Sequence, residues 1–202
     1  FWDYPLIELE HKTIGIIGFG RIGQKLGKMA KAIGMDVIAF DIFHIPGIEE
    51  QLGIPYVEMD ELLAMSDFVS VHAPAVDGGA LISAENIAKM KDGVVFIDNS
   101  RGELMDIDAV TEAVESGKFG ALFMDAFPGE TGIIHVPHDE DIIRTPGMPY
   151  FKLKYLRSFV NVYHTPHMAF FTEEAAEQMA ECGVNSIYEI LTEGKSKHEI
   201  PC

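Results

Sequence analysis

Three glycines follow the first apolar run of the chain, in the pattern Gly18-x-Gly20-x-x-Gly23. Between a strand and a helix, the first glycine permits a tight turn and the second lets a pyrophosphate approach the backbone. The third lets the helix pack closely on the strand, and the N–H groups at the start of the helix can bind phosphates. The pattern therefore predicts a dinucleotide site. In a chain with 19 glycines it also fits an ordinary turn.

A carboxylate, Asp41, ends the next apolar run. At the end of the second strand of such a unit, a carboxylate can accept hydrogen bonds from both hydroxyls of the adenosine ribose. A 2′-phosphate in the same place would bring two anions into contact. The sequence therefore predicts NAD rather than NADP as the cofactor. Without the glycines, Asp41 would be interpreted as an exposed acid at the end of a strand.

Short apolar runs alternate with helical patterns between residue 13 and about residue 165. This alternation predicts an α/β fold with a doubly wound parallel sheet, the Rossmann dinucleotide-binding architecture. The predicted strands cover residues 13–18, 37–40, 68–71, 94–97, 121–124 and 160–164. The predicted helices cover residues 22–33, 59–65 and 83–90, and two more follow the capping residues Asp106 and Thr172. Residues 128–151, with four prolines and three glycines, are predicted to form a long irregular loop.

The composition argues against several classes of protein. The 202 residues carry 15 Lys plus Arg against 32 Asp plus Glu, a formal charge of −17. Such a surface repels nucleic acids and anionic lipids, so neither is expected as a partner. The basic run at residues 152–157 is interpreted as a solvated helix face. We expect a cytoplasmic protein, because two cysteines make no disulfide framework and no apolar stretch has the length of a membrane span.

No metal site is expected from the sequence. His135 and His138 form only a weak pair in the predicted loop.

Four blocks of sequence, taken together, resemble the D-isomer-specific, NAD-dependent 2-hydroxyacid dehydrogenases. They are GIIGFGRIGQ at 15–24, VHAP at 71–74, IDNSRGELMD at 97–106, and MDAFPGE at 124–130 with TPHMAFFT at 165–172. The long segment between the last two motifs looks most like the D-lactate and D-2-hydroxyisocaproate branch of that family. The resemblance implies hydride transfer between NADH and a 2-keto acid, which gives a D-2-hydroxy acid.

The resemblance also implies catalytic roles. Arg101 would bind the substrate carboxylate and polarise the keto oxygen, since a guanidinium binds a carboxylate through two parallel hydrogen bonds and keeps its charge. His167 would give a proton to that oxygen during reduction and take it back in the reverse reaction. Glu130 would pair with His167 and favour the imidazolium form. Taken alone, each of the three residues would be interpreted as a surface or structural residue.

Further residues are implied in cofactor binding. In addition to Gly18, Gly20, Gly23 and Asp41, the backbone of Arg21 and Ile22 would face the pyrophosphate. Ala73 and Pro74 would line the adenosine side. Toward the nicotinamide end would lie Asn99, Ser100, Arg101 and Asp125.

Three departures from the family pattern are visible. His11 stands where many relatives have glycine, and Asp98 stands where asparagine is common. Pro128-Gly129 replaces a more acidic pair, which puts the placement of Glu130 in question.

The length predicts an incomplete set of domains. We expect a linker at residues 1–12, the NAD-binding domain at 13–171, and a C-terminal helix and tail at 172–202 that return toward a substrate domain largely absent from the chain. A homodimer is expected from the resemblance, and turnover by this chain alone stays open. The main alternative is an NAD(H)-sensing, protein-binding module of the corepressor type. A Rossmann protein that binds S-adenosylmethionine would leave the NSRG and TPH blocks unexplained.

Overall fold

A computed structural model describes residues 7–75, 79–130 and 149–198. The chain divides into two compact units, Phe1–Pro166 and His167–Cys202. The pair His135 and His138 lies outside the described residues.

The first unit is built on a six-stranded sheet in the order β2-β1-β3-β4-β5-β6, and all its pairings are parallel. The strands are β1 (Thr13–Ile17), β2 (Asp36–Phe40), β3 (Phe68–Val71), β4 (Val94–Asp98), β5 (Phe119–Met124) and β6 (Val162–His164). The strand order changes direction between β1 and β3. This confirms the predicted doubly wound fold, in which ligands bind beyond the carboxyl ends of the strands near that point.

Helices connect the strands and cover the sheet. They are α1 (Arg21–Ala32), α2 (Ile48–Leu52), α3 (Met59–Met65), α4 (Ala84–Lys89), α5 (Ile107–Glu115) and α6 (Pro149–Leu156), and the second unit holds α7 (Glu173–Glu193). The predicted caps are confirmed. Ser83 accepts a hydrogen bond from the N–H of Asn86, Asp106 from those of Asp108 and Ala109, and Thr172 from that of Ala175.

The prediction that residues 128–151 form one irregular loop is wrong at its C-terminal end, because α6 begins at Pro149. Residues 131–148 of that loop lie outside the described residues. Proline suits the first turn of a helix, where no N–H is needed for the helical ladder. The interpretation of the basic run at 152–157 as a solvated face is also incomplete. Leu153 and Leu156 are buried in the main core, while Lys152 pairs with Asp108 of α5.

Two apolar clusters form the core. One holds Ile14, Ile16 and Phe19 with residues of β2 and α2, and the other holds Val69, Phe96 and Leu122 with residues of α3 and α5. The two clusters hold alternating residues of β1, so this strand is buried on both faces, as continuous apolar runs in parallel sheets predict. None of the helices in the described ranges is long and apolar enough to cross a lipid bilayer.

The turn before β1 contains an unusual backbone conformation. His11 has φ = 61°, and its N–H donates to the carbonyl of Gly34 at 2.9 Å. A β-carbon is crowded in this left-handed region, whereas glycine enters it without strain. The departure from glycine noted in the sequence therefore places a side chain where the backbone favours none.

We expect His11→Gly to raise the free energy of unfolding by about 1 kcal/mol, because it removes the left-handed strain. Urea unfolding measures the change. Glu10→Gly, at the neighbouring exposed position without positive φ, is the matched control and should be neutral or destabilising. Equal effects of the two substitutions would contradict the strain argument.

Candidate functional site

The glycine turn after β1 brings two backbone segments into close contact. Gly18 has φ = 90°, and a β-carbon built on it would lie 2.6 Å from the amide nitrogen of Ala73 and 2.7 Å from the carbonyl carbon of His72. A β-carbon on Gly23 would lie 2.3 Å from the carbonyl oxygen of Gly18. Both glycines are thus required by the packing of the protein itself.

Gly20 differs from the other two glycines. A β-carbon built there would meet no described heavy atom within 4 Å beyond its chain neighbours, so its surface faces open space. Gly20 also precedes α1, and no side chain caps this helix. The N–H groups of the first turn therefore remain available to an anion that approaches over Gly20.

Asp41 is held in place by the same turn. One carboxylate oxygen accepts a hydrogen bond from the N–H of Phe19 at 2.7 Å, and the other accepts one from the N–H of Phe43 at 2.9 Å. Each oxygen keeps a further lone pair for another donor. The carboxylate is fixed beside the glycine turn at the end of β2, where the sequence places the adenosine ribose.

Two pockets lie along the carboxyl edge of the sheet. The first, of about 120 Å³, is lined by Gly18, Phe40 and Asp41 among others. The second, of about 310 Å³, is lined by Ile22, Asn99, Ser100 and Arg101 among others. Both pockets include Ala73 and Pro74, so these two residues join them into a cleft that crosses the ends of β1 to β4.

His72 lines the second pocket and is not among the site residues predicted from the sequence. Its Nε2 lies 2.9 Å from the hydroxyl of Ser70, two residues earlier on the same side of the strand. Burial lowers the pKa of His72 to about 4, so the imidazole is neutral at neutral pH. The Ser-x-His spacing at a strand end was the available signal.

The loop after β4 carries Arg101. Its side chain is exposed, and Nη1 donates to the carbonyl oxygen of Ser100 at 2.9 Å. The next residue, Gly102, touches the neighbouring loop, since a β-carbon there would lie 2.2 Å from the carbonyl carbon of Phe127. Glycine at this position allows the loop after β4 to pack directly on the backbone after β5.

Glu130 lies in the loop after β5, in a turn closed by Gly129 at φ = 75°. Its Oε2 accepts a hydrogen bond from the N–H of Phe127 at 3.0 Å, and its own N–H donates to the carbonyl of Phe127 at 3.0 Å. The Pro128-Gly129 pair therefore forms a tight turn that folds the Glu130 carboxylate back onto its own loop.

Asp125 is buried between β4 and β6. Its N–H donates to the carbonyl oxygen of Asp98 at 2.9 Å, and its Oδ1 accepts a hydrogen bond from the hydroxyl of Thr165 at 2.5 Å. His164, at the end of β6, is also absent from the site residues predicted from the sequence. Burial lowers its pKa, as does Arg157 to a lesser degree, while the charges of Asp125 and Glu130 act in the opposite direction.

The first unit thus brings the glycine turn, Asp41, Ala73, Arg101 and Asp125 to one edge of the sheet. His167 is the first residue of the second unit, three positions after β6 ends. It has φ = 48°, a left-handed conformation that is uncommon outside glycine and that clusters at functional sites. Its ring meets that of Phe170 edge to face, with centroids 6.3 Å apart.

The arrangement fits a dinucleotide. An uncapped helix start beneath open space suits the pyrophosphate, and Asp41 supplies acceptors for a ribose next to a small apolar pocket. Within the described ranges, no group of three His, Cys, Asp or Glu side chains is placed to hold a metal ion.

Comparison with known families agrees with this geometry. Residues 2–169 match the family model described as "D-isomer specific 2-hydroxyacid dehydrogenase, NAD binding domain". The chain belongs to this family. NAD is accordingly its cofactor, and the resemblance noted in the sequence is confirmed.

Relatives of the chain include 2-oxoacid reductases and D-lactate dehydrogenases. It is 38% identical over 192 residues to a hydroxypyruvate reductase of Blautia hydrogenotrophica, a match that covers 95% of this chain and 54% of that protein. Among solved structures, the pyruvate reductase of Chlamydomonas reinhardtii is 38% identical with a TM-score of 0.83, covering 98% of this chain and 60% of the other.

A D-lactate dehydrogenase of Aquifex aeolicus, solved with NAD and lactic acid, is 30% identical with a TM-score of 0.86. That match covers 98% of this chain and 61% of the other. The chain therefore spans between half and two thirds of the length of these relatives.

Substitutions of Gly18 and Gly20 distinguish a glycine needed for packing from a glycine needed for cofactor binding. We expect Gly18→Ala to lower the free energy of unfolding by roughly 2–4 kcal/mol, through positive φ and overlap with the backbone of Ala73. Gly20→Ala should change it by less than about 1 kcal/mol, yet weaken NADH binding by roughly tenfold or more. Urea unfolding and NADH fluorescence titration test the pair. A folded Gly20→Ala variant with unchanged affinity would contradict the assignment of Gly20.

Proposed function

We propose that this chain is the coenzyme-binding part of an NAD-dependent D-2-hydroxyacid dehydrogenase, which reduces a small 2-keto acid to the D-2-hydroxy acid in the manner of D-lactate dehydrogenase. The observation that carries the proposal is the continuous cleft that leads from Asp41, past the open Gly20 turn, to the exposed Arg101. The relatives, which are reductases and a dehydrogenase, support an enzyme and favour it over a corepressor-type module.

The proposal gives the cleft residues distinct tasks. Gly18, Gly20 and Gly23, with the backbone of Arg21 and Ile22, hold the pyrophosphate at the start of α1. Asp41 binds the adenosine ribose, and Ala73 and Pro74 line the adenosine side. Asn99, Ser100 and Asp125 lie toward the nicotinamide end. When bound, NADH supplies the hydride.

Two residues act on the substrate in this proposal, and a third acts on one of them. Arg101 binds the substrate carboxylate through its planar guanidinium and polarises the keto oxygen. His167 donates a proton to that oxygen as the alcohol forms, and Glu130 holds His167 in its proton-donating form. Support for Arg101 comes from its exposure at the end of the cleft, and support for His167 from its left-handed backbone. In this proposal the chain thus binds the substrate carboxylate, polarises the keto oxygen and donates one proton.

The named relatives suggest the substrate class. They act on hydroxypyruvate or pyruvate, or were solved with lactic acid, all of them small 2-keto or 2-hydroxy acids. Such acids are anions at neutral pH, which suits a guanidinium at the end of the cleft. We also propose a cytoplasmic homodimer, with residues 172–202 returning toward a separate substrate domain.

A panel of 2-keto acids tests the activity. With a longer polypeptide that contains this chain, NADH oxidation should depend on pyruvate or hydroxypyruvate and yield the D-isomer, and Arg101→Met should lower kcat/KM by roughly a hundredfold. Arg101→Lys should recover only part of the loss, because an ammonium lacks the planar fork. Lys28→Met removes an exposed positive charge from α1 and serves as control. An L-product, or full activity in Arg101→Met, would refute the proposal.

The basis of cofactor choice can be tested at Asp41. Asp41→Asn keeps an oxygen for the N–H of Phe19 or Phe43 and removes the negative charge that a 2′-phosphate would meet. We expect the ratio of NADPH to NADH affinity to rise by roughly tenfold, from a charge repulsion worth about one pKa unit. Asp36→Asn, at the opposite end of β2, is the matched control. An unchanged ratio would show that Asp41 does not discriminate.

A further inference from the structure

Asp98 is the last residue of β4, paired between Val71 of β3 and Met124 of β5. Its relative exposure is 0%, and its Oδ2 has no hydrogen-bond partner among the described residues. A buried carboxylate oxygen without a donor is costly, because burial removes the hydration that stabilises its charge. The position therefore requires an explanation beyond packing.

The other oxygen of Asp98 organises the loop that follows. Oδ1 accepts hydrogen bonds from the N–H of Ser100 at 2.8 Å and from its hydroxyl at 2.5 Å. The carbonyl of Ser100 in turn accepts from the guanidinium of Arg101. A continuous series of contacts thus joins the buried carboxyl, through Ser100, to the exposed cation at the end of the cleft.

The charged groups around Asp98 are mostly acidic. Glu103, in the turn after Arg101, and Glu130, in the loop after β5, both act on it with negative charge. Asp125 adjoins it through a backbone hydrogen bond, and His72 on the β3 side is neutral because of burial. Burial above all, with smaller contributions from the two glutamates, raises the pKa of Asp98 to about 6, although the two hydrogen bonds from Ser100 act in the opposite direction.

An anion in the neighbouring pocket would add to this negative charge. The pocket of about 310 Å³ is lined by Ile22 at the start of α1 and by Asn99, Ser100 and Arg101, the three residues that follow Asp98. Two like charges raise each other's free energy, and solvent weakens this repulsion less when one of them is buried, as Asp98 is. A proton on Asp98 removes that repulsion, while Oδ1 can still accept from Ser100.

We propose that Asp98 is a positioning residue for Arg101, and that binding of an anionic ligand in the pocket beside Arg101 is coupled to uptake of a proton by Asp98. This inference rests on the proposed function, in which Arg101 and the start of α1 meet anions. An amide at this position could hold Ser100 equally well but could not take up a proton. The carboxyl therefore makes affinity for the anion depend on pH.

The direction of the pH dependence follows from linkage. Protonated Asp98 leaves the anion unopposed, so affinity is highest in mild acid and falls as pH rises through the range in which Asp98 ionises. By reciprocity, the bound anion favours the protonated carboxyl, and binding near neutral pH takes protons from the buffer.

The experiment titrates NADH into the full chain between pH 5.5 and 8. Wild-type affinity should fall by roughly tenfold over this range, which corresponds to a shift of one pKa unit. Isothermal calorimetry in two buffers of different ionisation enthalpy should show net proton uptake. Asp98→Asn should give a flatter profile and lose the uptake, whereas Asp98→Ala, which leaves Ser100 without its acceptor, should bind weakly at every pH. Asp92→Asn, which removes an exposed charge paired with Lys118, should keep the wild-type profile.

The outcomes separate this inference from the proposed function. If the wild-type chain binds no NADH at any pH, the proposed function fails and this inference fails with it. Normal binding with the same pH profile and proton uptake in Asp98→Asn as in wild type would overturn the role of Asp98 alone. If Asp98→Asn does not fold, carbon-13 NMR of the wild-type carboxyl decides. A pKa of Asp98 that rises on NADH binding supports the coupling, and an unchanged value overturns it.

Discussion

The site depends on one close approach between two stretches of backbone. Gly18 lies against the peptide that joins His72 to Ala73, at a distance that admits no side chain, and the N–H of His72 donates to Ile17 at 2.7 Å. This contact fixes the loop after β3 against the turn after β1. Because Ala73 and Pro74 line both pockets, the contact also determines that the two pockets form one cleft.

Local donors must overcome an unfavourable overall charge. The chain carries a formal charge of −17, and the cofactor NAD and the proposed substrates are also anions. Salt screens charges beyond about 10 Å, so the distant acids matter less than the groups that line the cleft. The N–H groups at the uncapped start of α1 and the guanidinium of Arg101 supply the favourable interactions with anions there. Asp98 is buried nearby, so salt weakens its repulsion of a bound anion less than that of the exposed acids.

Local sequence signals predicted much of the fold and little of the electrostatics. The caps Ser83, Asp106 and Thr172 marked helix starts, since capping depends on residues three or fewer positions apart. The helix α6 was missed at its start because its buried leucines pack on a core assembled from distant segments. For the same reason, the sequence could not predict the unpaired oxygen of Asp98 or the surroundings of His164. Both depend on loops that follow different strands.

Contact between Gly102 and the backbone at Phe127 and Pro128 interlocks the loops that follow β4 and β5. Arg101 immediately precedes this contact, and the turn that holds Glu130 immediately follows it. Neither loop can shift without displacing the other, so the backbone segments that carry Arg101 and Glu130 move together. In the proposed reaction, Arg101 binds the carboxylate common to all 2-keto acids, so selection among substrates of different size would have to come from residues elsewhere.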